Sequence, residues 1–502
     1  MSGNDQLLPA APPRLAAMLS ELLPPDAAYA VLQAHDARFD GRLYVGVTST
    51  GIYCRPICRV RLPRRENCVF FTTAPQAEAA AFRPCMKCRP ELAPRVLPWT
   101  TMDASRTLAA QAAAWLDACD DVEASVEDLA RHLGITSRHL RRIFQAEHGV
   151  SPLQYLQTRR LLLAKALLTD STLPVQDVAH AAGFASLRRF NAAFIEHYRL
   201  QPTALRRVGR DGVGAPMSRL RLSYRQPYDV AGVLTFLAPR AIAGIETVEE
   251  GAVTRSLALI HAGQRHAGWL RVGFERAGEV AVELSPALWP AVGSLLPRLR
   301  RWLDLDADPD AIAAALGAGS VPGQRLPGCL DSFELSVRAV LGQQVTVAAA
   351  RTLAGRFVAR FGAELPAAEQ APQGCQWLFP TAERIAAATR DEIASLGIIG
   401  RRADSLIALA RAWPTLAFAR GEGSPEAASE QLTQIPGIGP WTVGYMLMRG
   451  WSWPDAFPPG DVVLRKALSA EGMPLSPNAY LAAAERYRPF RSYAVLHLWR
   501  QG

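Results

Sequence analysis

Residues Ile435–Asp461 have the sequence IPGIGPWTVGYMLMRGWSWPDAFPPGD, and this stretch decides the fold of the C-terminal half. Pro436–Pro440 is a tight, glycine-rich turn, and the apolar run Thr442–Met448 follows it directly, which predicts a turn leading into a helix. Glycines there let the backbone approach a phosphate, and the free N–H groups of a helix N-terminus face an anion. Asp461 lies 22 residues after Gly439, just before the helix-like run VVLRKAL. From the residues alone, Asp461 fits equally well as the N-cap of a helix in an ordinary all-helical domain.

The turn and the aspartate together resemble the helix–hairpin–helix and Gly/Pro-rich-Asp signature of DNA glycosylases, in particular the AlkA-type 3-methyladenine DNA glycosylases. The resemblance implies that Gly437 and Gly439 contact DNA. It also implies that Asp461 stabilises positive charge on the sugar, activates water, or does both. Relatives that also cleave the backbone carry a lysine where this chain has Trp441. Because an indole cannot form a Schiff base, the resemblance implies a monofunctional glycosylase.

The resemblance also implies a cleft for an extruded base, since a base inside a duplex cannot be reached. An N3- or N7-alkylated purine is positively charged, and aromatic rings favour a cation. The resemblance implies that the cleft is formed by Trp441, Tyr445 and Trp499. The alternative for each of them is an ordinary aromatic residue of the core. Gln344 stands where the family carries a leucine that wedges into the duplex. A glutamine can fill the gap that the flipped base leaves and hydrogen-bond to the base that has lost its partner. As an apolar wedge it is weaker than leucine.

Length and charge bound the remaining possibilities. A chain of 502 residues predicts three or four domains. Its net charge of +9 and pI near 9.3 indicate a polyanionic partner. Residues 131–210 hold 13 Lys/Arg and 4 Asp/Glu, so this window alone accounts for the excess. Since no apolar run has membrane-spanning length and no signal peptide is recognisable, we expect no membrane partner and a cytoplasmic, nucleoid-associated protein of bacterial type.

Four of the eight cysteines are clustered, as Cys54-x3-Cys58 and Cys85-x2-Cys88. Two close pairs can complete a tetrahedral thiolate site, so the spacing predicts one Zn²⁺ bound by four cysteines. Cys68 lies between the pairs and is expected to be an ordinary buried thiol. No function is predicted for the isolated cysteines Cys119, Cys329 and Cys375.

The segments TGIYCRPICRVR and FRPCMKCRP around these cysteines resemble the N-terminal domain of Ada-type proteins. The resemblance implies that Cys54 is both a zinc ligand and the nucleophile that takes a methyl group from a DNA methylphosphotriester. Cys58, Cys85 and Cys88 would complete the site, and Arg61 would contact the phosphate. Methylation would change the net charge of the zinc–thiolate group from about −2 to about −1 and so strengthen DNA binding.

A basic helix pair follows, in SVEDLARHLGITSRHLRRIFQAEHGVSP. Gly134 marks the turn, and Thr136 or Ser137 can cap the second helix. The spacing places three arginines on one exposed face of that helix: Arg138, Arg141 and Arg142.

The same design recurs fifty residues later in VQDVAHAAGFASLRRFNAAFIEHYRLQP, with Gly183 at the turn, Ser186 as the cap, and Arg188 and Arg189 on the second helix. The repeat resembles the paired helix-turn-helix domain of AraC-type regulators, with LLLAKALLTDSTLP as the connecting helix. The alternative is a solvated arginine face on a helical bundle. If the resemblance holds, the two recognition helices enter successive major grooves.

The predicted fold class is therefore a multidomain protein with α+β and all-α parts. In chain order we expect a small zinc-bound α+β acceptor domain (14–98), a paired helix-turn-helix domain (102–208), a Gly-rich linker (209–217), an AlkA-N-terminal-like α+β subdomain (218–315) and an all-helical helix-hairpin-helix glycosylase domain (325–502). The Pro-Cys-His-Arg motif of O6-methylguanine methyltransferases is missing from the sequence, so direct repair of that base is not predicted.

The predicted function is repair of alkylated DNA together with transcriptional regulation. Asp461 would release flipped alkylated purines of the 3-methyladenine and 7-methylguanine class, and Cys54 would accept a methyl group. One alternative is a methylation-sensing activator whose glycosylase half only recognises damage, and another is a glycosylase tethered by an inert zinc and helix module. Expected partners are double-stranded, alkylated and promoter DNA and RNA polymerase. A monomer is expected because one chain already carries two helix-turn-helix units.

Overall fold

In a computed structural model of the chain, the structure describes residues 23–94, 104–118, 125–210, 219–249, 251–369, 371–372, 374–421, 424–469 and 475–500. Parts of the predicted domains lie outside these residues: 14–22 and 95–98 of the acceptor domain, 102–103, Cys119, and 211–217 of the linker. The chain forms two compact units, residues 1–226 with 292–294, and residues 227–291 with 295–502. Among the described residues, no helix combines the length and apolarity needed to cross a membrane.

A small four-stranded sheet with strand order β3-β1-β2-β4 opens the first unit. Strand β1 pairs antiparallel with both β2 and β3, and β2 pairs parallel with β4. The elements are α1 (Pro25–Gln33), β1 (Tyr44–Val47), β2 (Ile52–Cys54), β3 (Cys68–Phe71), α2 (Ala74–Ala79) and β4 (Arg83–Pro84). Buried side chains such as Val45 and Phe70 on one face and Tyr53 and Phe71 on the other give the sheet two small cores. Cys54 is the last residue of β2, so the first cysteine pair lies where this interior strand ends.

Helices fill the rest of the first unit, as the repeat predicts. They are α3 (Ala104–Ala118), α4 (Val126–His132), α5 (Ser137–His148), α6 (Pro152–Asp170), α7 (Val175–Ala181), α8 (Leu187–Tyr198) and α9 (Pro202–Arg210), followed by strand β5 (Arg219–Ser223). Thr136, rather than Ser137, caps α5 by accepting from the N–H of His139 at 3.2 Å. Ser186 caps α8 in the same way. Helix α9 includes Gly209 and Arg210, so the first two residues of the predicted linker are helical.

The second unit begins with an antiparallel ladder in the order β6-β7-β8-β9. Its early elements are α10 (Val230–Leu237), β6 (Glu246–Glu249), β7 (Ala252–His261), β8 (Gln264–Arg276), β9 (Glu279–Leu284), α11 (Val292–Trp302, of which 295–302 belong to this unit) and α12 (Pro309–Leu316). This mixture of strands and helices confirms the predicted α+β part.

Helices dominate the remainder of the second unit. They are α13 (Ser332–Leu341), α14 (Val347–Phe361), α15 (Ala382–Ala386), α16 (Arg390–Ala394), α17 (Gly400–Ala412), α18 (Ala417–Arg420), α19 (Pro425–Thr433), α20 (Pro440–Gly450), α21 (Val462–Ala467), α22 (Pro477–Ala484) and α23 (Arg491–Trp499). The expectation that 325–502 is all helix is wrong in one detail, since β10 (Ala363–Glu364) pairs antiparallel with β11 (Trp377–Leu378). Two-residue strands are too short to show an alternating pattern. One large apolar core holds these helices and positions the hairpin between α19 and α20.

Candidate functional sites

The hairpin has the geometry that its glycines predict. Gly437 has φ +79°, and a Cβ there would lie 2.0 Å from Oγ of Ser405, so both the backbone conformation and the space require glycine. Gly439 is the N-cap of α20, and Pro440 follows as the first helical residue. The N-terminus of α20 is thereby presented without a capping side chain, as an anion-binding helix terminus needs.

Asp461 has two hydrogen-bonded roles at once. Its Oδ1 accepts from the N–H of Leu464 at 3.0 Å, which makes it the N-cap of α21. Its Oδ2 accepts from the indole Nε1–H of Trp441 at 2.9 Å. Asp461 is 8% exposed. The N-cap interpretation is therefore correct as structure, and the second oxygen still faces the hairpin residue next to the predicted cleft.

The three predicted cleft aromatics lie together. The rings of Trp441 and Tyr445 stack with centroids 5.5 Å apart and planes 9° apart. Tyr445 and Trp499 are 6.4 Å apart at 37°. All three side chains are partly buried rather than fully enclosed, although Tyr445 and Trp499 also pack against the large core. The structure thus assembles an aromatic wall beside Asp461, and its role in base binding stays a prediction.

Arg449 extends this group and was not singled out from the sequence. It lies one turn beyond Tyr445 on α20, is 5% exposed, and donates to the Tyr445 hydroxyl at 2.8 Å. Burial raises the pKa of Tyr445, but the guanidinium groups of Arg449, Arg240 and Arg338 outweigh burial and hold the pKa below its usual value. The i, i+4 spacing of Tyr445 and Arg449 is visible in the sequence, yet nothing local shows that the pair is buried.

Gln344 lies in the turn between α13 and α14, exposed and with φ +55°, a left-handed conformation that is uncommon for glutamine. The preceding Gln343 fixes this turn on the hairpin, since its Nε2 donates to the Gly437 carbonyl at 2.9 Å and to Thr442 Oγ1 at 3.0 Å. Arg402 donates to the Gln343 carbonyl. The predicted duplex plug is therefore carried on a loop that is tied to the hairpin between α19 and α20.

The four clustered cysteines converge as the spacing predicts. The sulfur atoms of Cys54, Cys58, Cys85 and Cys88 all lie within 4.8 Å of one another. Tetrahedral zinc with Zn–S bonds of about 2.3 Å requires sulfur separations of about 3.8 Å, so the cluster fits the ion. Backbone N–H groups support the sulfurs: that of Arg55 donates to Cys88 at 3.3 Å and that of Lys87 to Cys85 at 3.4 Å.

The residues around the cluster divide into buried and exposed ones. Arg55, directly after Cys54, is buried in an ion pair with Asp40 and donates to the Cys88 carbonyl at 3.1 Å. Arg61 is exposed in the loop after Cys58, where a phosphate can reach it. Cys68 is buried outside the cluster, as expected.

The predicted recognition helices expose their arginines and bury their apolar faces. Leu140, Ile143 and Phe144 of α5 are buried. The exposed arginines are Arg138, Arg141 and Arg142 of α5 and Arg188 and Arg189 of α8. Arg141 pairs with Glu127 at 2.8 Å, but both groups are about half exposed, so solvent screens the pair and DNA phosphates can compete for the arginine.

A buried cluster of ion pairs, which sequence reasoning missed, joins the segment directly after Cys88 to helix α6. Arg89, next to Cys88, donates to both carboxylate oxygens of Asp170 at 2.7 Å. Glu91 accepts from Arg89 at 2.9 Å and from Lys165, which is 1% exposed. Glu91 and Lys165 are 74 residues apart in the chain, and Arg89 and Asp170 are 81 apart, so no local sequence pattern predicts these ion pairs.

Glu78 is a further buried carboxyl group next to helix α6. Burial raises its pKa to about 8, against the opposing hydrogen bonds from Thr158 and Tyr53 and the charge of Lys165. The Tyr53 hydroxyl donates to Glu78 Oε1 at 3.1 Å. This carboxyl group is therefore protonated over much of the pH range in which it would ionise in water.

Comparison with known proteins identifies the families that the parts of the chain resemble. Four family models match: the metal binding domain of Ada (residues 27–91), a helix-turn-helix domain (129–208), the AlkA N-terminal domain (219–331) and the HhH-GPD superfamily of base excision DNA repair proteins (337–474). The chain is 37% identical over 495 residues to the probable bifunctional transcriptional activator/DNA repair enzyme AlkA of Mycobacterium tuberculosis, covering 94% of this chain and 95% of that protein.

Two further matches cover the C-terminal half. DNA-3-methyladenine glycosylase 2 of Escherichia coli is 36% identical over 282 residues, covering 55% of this chain and 95% of that protein. The solved 3-methyladenine DNA-glycosylase of Archaeoglobus fulgidus is 23% identical with a TM-score of 0.48, covering 56% of this chain and 97% of that one. The family matches confirm the resemblances stated from the sequence, and the Ada match together with the cysteine cluster confirms the predicted zinc site.

Proposed function

Since the chain belongs to the family of AlkA bifunctional transcriptional activators and DNA repair enzymes, and so is a DNA glycosylase with a DNA-binding regulatory half, we propose which of its residues carry these activities. The observation that carries the proposal is the carboxylate of Asp461, bonded to Trp441 at the edge of the aromatic wall. We assign to Asp461 the release of alkylated purines of the 3-methyladenine and 7-methylguanine class.

The arrangement explains how that chemistry proceeds. An extruded purine lies against Trp441, Tyr445 and Trp499, and the carboxylate of Asp461 faces the sugar. As the bond from C1′ to the base nitrogen breaks, its electron pair stays on the base and positive charge grows on the sugar, until the oxygen of a water molecule bonds to C1′ and the water gives up a proton. The negative carboxylate stabilises this charge, an electrostatic contribution commonly worth several kcal/mol. Trp441 offers no amine for a Schiff base, which supports a monofunctional glycosylase.

DNA contacts follow from the same geometry. Gly437 and Gly439 bring the backbone N–H groups of the hairpin to a phosphate, and Gln344 enters the space left by the extruded nucleotide. The exposed arginines of α5 and α8 bind promoter DNA, partly through phosphates and partly through base edges.

In the first unit, Cys54 is the proposed methyl acceptor. Its sulfur attacks the methyl carbon of a methylphosphotriester, the carbon–oxygen bond breaks, and the electron pair remains on the phosphate oxygen, with Arg61 beside it. Zinc bound by Cys54, Cys58, Cys85 and Cys88 would keep the sulfur of Cys54 deprotonated at neutral pH. The transfer is stoichiometric, and the less negative methylated site binds DNA more tightly.

The remaining proposals concern organisation. The domain limits stay as expected from the sequence, 14–98, 102–208, 218–315 and 325–502, except that the linker begins only after helix α9 ends at Arg210. The protein acts as a monomer at the bacterial nucleoid and activates transcription through contact with RNA polymerase.

Release of free bases from methylated duplex DNA tests the proposal. We expect the wild-type chain to release 3-methyladenine or 7-methylguanine, and Asp461→Asn to bind DNA without releasing either. Asp308 is also a helix N-cap carboxylate, in α12, so Asp308→Asn is the matched control and should keep activity. Failure of the wild type to release any base, with DNA bound, would favour the methylation-sensing activator, in which the C-terminal half only recognises damage.

A further inference from the structure

The helices α5 and α8 occupy equivalent places in the fifty-residue repeat, so their residues can be compared one by one. Arg138 of α5 corresponds to Arg188 of α8, and each is exposed in the first turn of its helix. The residues that anchor the two helices in the core are also equivalent and buried: Leu140 with Phe190, and Phe144 with Phe194. Because the same positions point inward, the two helices present the same positions outward.

The outward face of α5 is polar along its length. Arg142 and Gln145 follow Arg138 at intervals of four and then three residues, which places all three on one face, and all three are exposed. In the major groove, an arginine can pair with guanine through two hydrogen bonds, and a glutamine can pair with adenine in the same way. The face of α5 can therefore recognise bases by hydrogen bonding.

The corresponding face of α8 is apolar after its first arginine. Ala192 takes the place of Arg142 and is exposed. Ile195 takes the place of Gln145 and is 38% exposed. Single exposed apolar side chains are ordinary on protein surfaces, but these two stand where the sister helix carries its base-pairing groups. The two helices therefore cannot recognise the same bases.

An apolar side chain in the major groove has one base-specific partner. Every base pair displays donors and acceptors there, and thymine alone adds a methyl group at C5. Alanine and isoleucine cannot bond to the polar groups and would deprive them of water, whereas against a thymine methyl group they bury apolar surface. Arg188 and Ile195 are about 10 Å apart along the helix axis, within the major-groove width of about 12 Å, so the whole face can reach bases.

We propose that Ala192 and Ile195 are specificity-determining residues that contact the C5 methyl groups of thymines. The binding site on DNA is then asymmetric, with one half-site read through hydrogen bonds by α5 and another read through thymine methyl groups by α8. Such a site differs from the palindromes that symmetric dimers bind. This inference rests on the proposed function, because it assumes that α8 enters the major groove of promoter DNA, and it deepens that function by naming the bases.

The test begins with selection of bound sites from a pool of random-sequence duplexes. The full zinc-loaded chain is used after incubation with methylated DNA and removal of that DNA, because the proposed function gives this form the higher DNA affinity. The selected site is then synthesised with deoxyuridine in place of one thymidine at a time, which removes only a C5 methyl group. All affinities are compared at one salt concentration.

We expect deoxyuridine to weaken binding by about fourfold for each contacted methyl group, and only within one half-site. Ile195→Gln gives α8 the side chain that α5 has at Gln145, and it should abolish the deoxyuridine penalty at one thymine. The measurement is the ratio of the affinities for thymine and uracil duplexes, so a uniform loss of binding does not count. Leu200→Gln changes another exposed apolar residue, beyond the end of α8, and should leave every penalty in place.

The outcomes separate this inference from the proposed function. If the pool yields no enriched sequence, the proposed regulatory function itself fails. If a site is enriched but deoxyuridine changes no affinity, or if Ile195→Gln keeps every penalty of the wild type, promoter binding stands and the inference about α8 is wrong. Loss of the same penalty in Leu200→Gln would also overturn it, because the effect would then not belong to the outward face of α8.

Discussion

The hydrogen bond from Trp441 to Asp461 gives the sharpest quantitative prediction. Trp441→Phe keeps a six-membered aromatic ring against Tyr445 and removes the pyrrole part of the indole, with the N–H that binds Oδ2 of Asp461 at 2.9 Å. A hydrogen bond to a charged group is worth about 1.5–3 kcal/mol. If the bond holds the carboxylate where charge develops on the sugar, its loss appears in the activation free energy. Each 1.36 kcal/mol is tenfold in rate, so kcat for base release should fall by about ten- to hundredfold.

The chain offers a closely matched control in Trp451. Its indole N–H donates to the Phe418 carbonyl at 3.0 Å, and its ring stacks on Phe418 with centroids 5.6 Å apart. Trp451→Phe therefore loses the same kind of donor in the same unit, without a contact to Asp461. The assay is single-turnover release of 3-methyladenine at saturating enzyme. An equal fall in both variants, or no fall in Trp441→Phe, would refute the positioning role of Trp441.

Three further predictions concern the first unit. Cys54→Ala should abolish transfer of labelled methyl groups from methylated DNA to the protein, whereas Cys68→Ala, a buried thiol outside the cluster, should retain it; labelling of Cys54→Ala would contradict the assignment. Asp170→Asn should lower the free energy of unfolding by about 3 kcal/mol, which is the low end for a broken buried ion pair because Arg89 keeps its other partner, Glu91. Glu127→Gln removes an exposed ion pair and should lower it far less. Equal effects of the two variants in denaturant titrations would exclude a stabilising role for the Arg89–Asp170 pair. The carboxyl group of Glu78 has a pKa of about 8 in the folded protein against an ordinary value of 4.5, so between these pH values the folded state binds one proton more than the unfolded state. The free energy of unfolding should therefore decrease as the pH rises from about 4.5 to 8, by up to about 1.4 kcal/mol per pH unit. Glu78→Gln should remove this pH dependence.

Features carried by neighbouring residues could be predicted from the sequence. The hairpin before α20, the two cysteine pairs and the caps at Thr136 and Ser186 all depend on residues within a few positions of one another. Glycine requirements, metal-ligand spacing and N-capping are local physical rules, so they survive without knowledge of the fold.

Features that depend on distant residues could not be predicted. Gln343 is bonded to Gly437 across 94 residues, and Lys165 to Glu91 across 74. Only the packed fold brings such groups together. The helical Gly209 shows a different limit: its composition suggests a linker, but the last turn of a helix tolerates residues of low helix propensity, and helix ends are the least certain boundaries.

The double role of Asp461 also explains why asparagine is the informative replacement. As an N-cap, asparagine is about as good as aspartate, so Asp461→Asn can still accept from the N–H of Leu464 and keep α21 in place. Its second atom would then be an amide NH₂ facing the indole N–H of Trp441, two donors that cannot bond to each other. The variant therefore loses the negative charge and the bond to Trp441 while it retains the cap. If base release disappears but the unfolding free energy hardly changes, the loss belongs to the carboxylate beside the cleft and not to the helix that it starts.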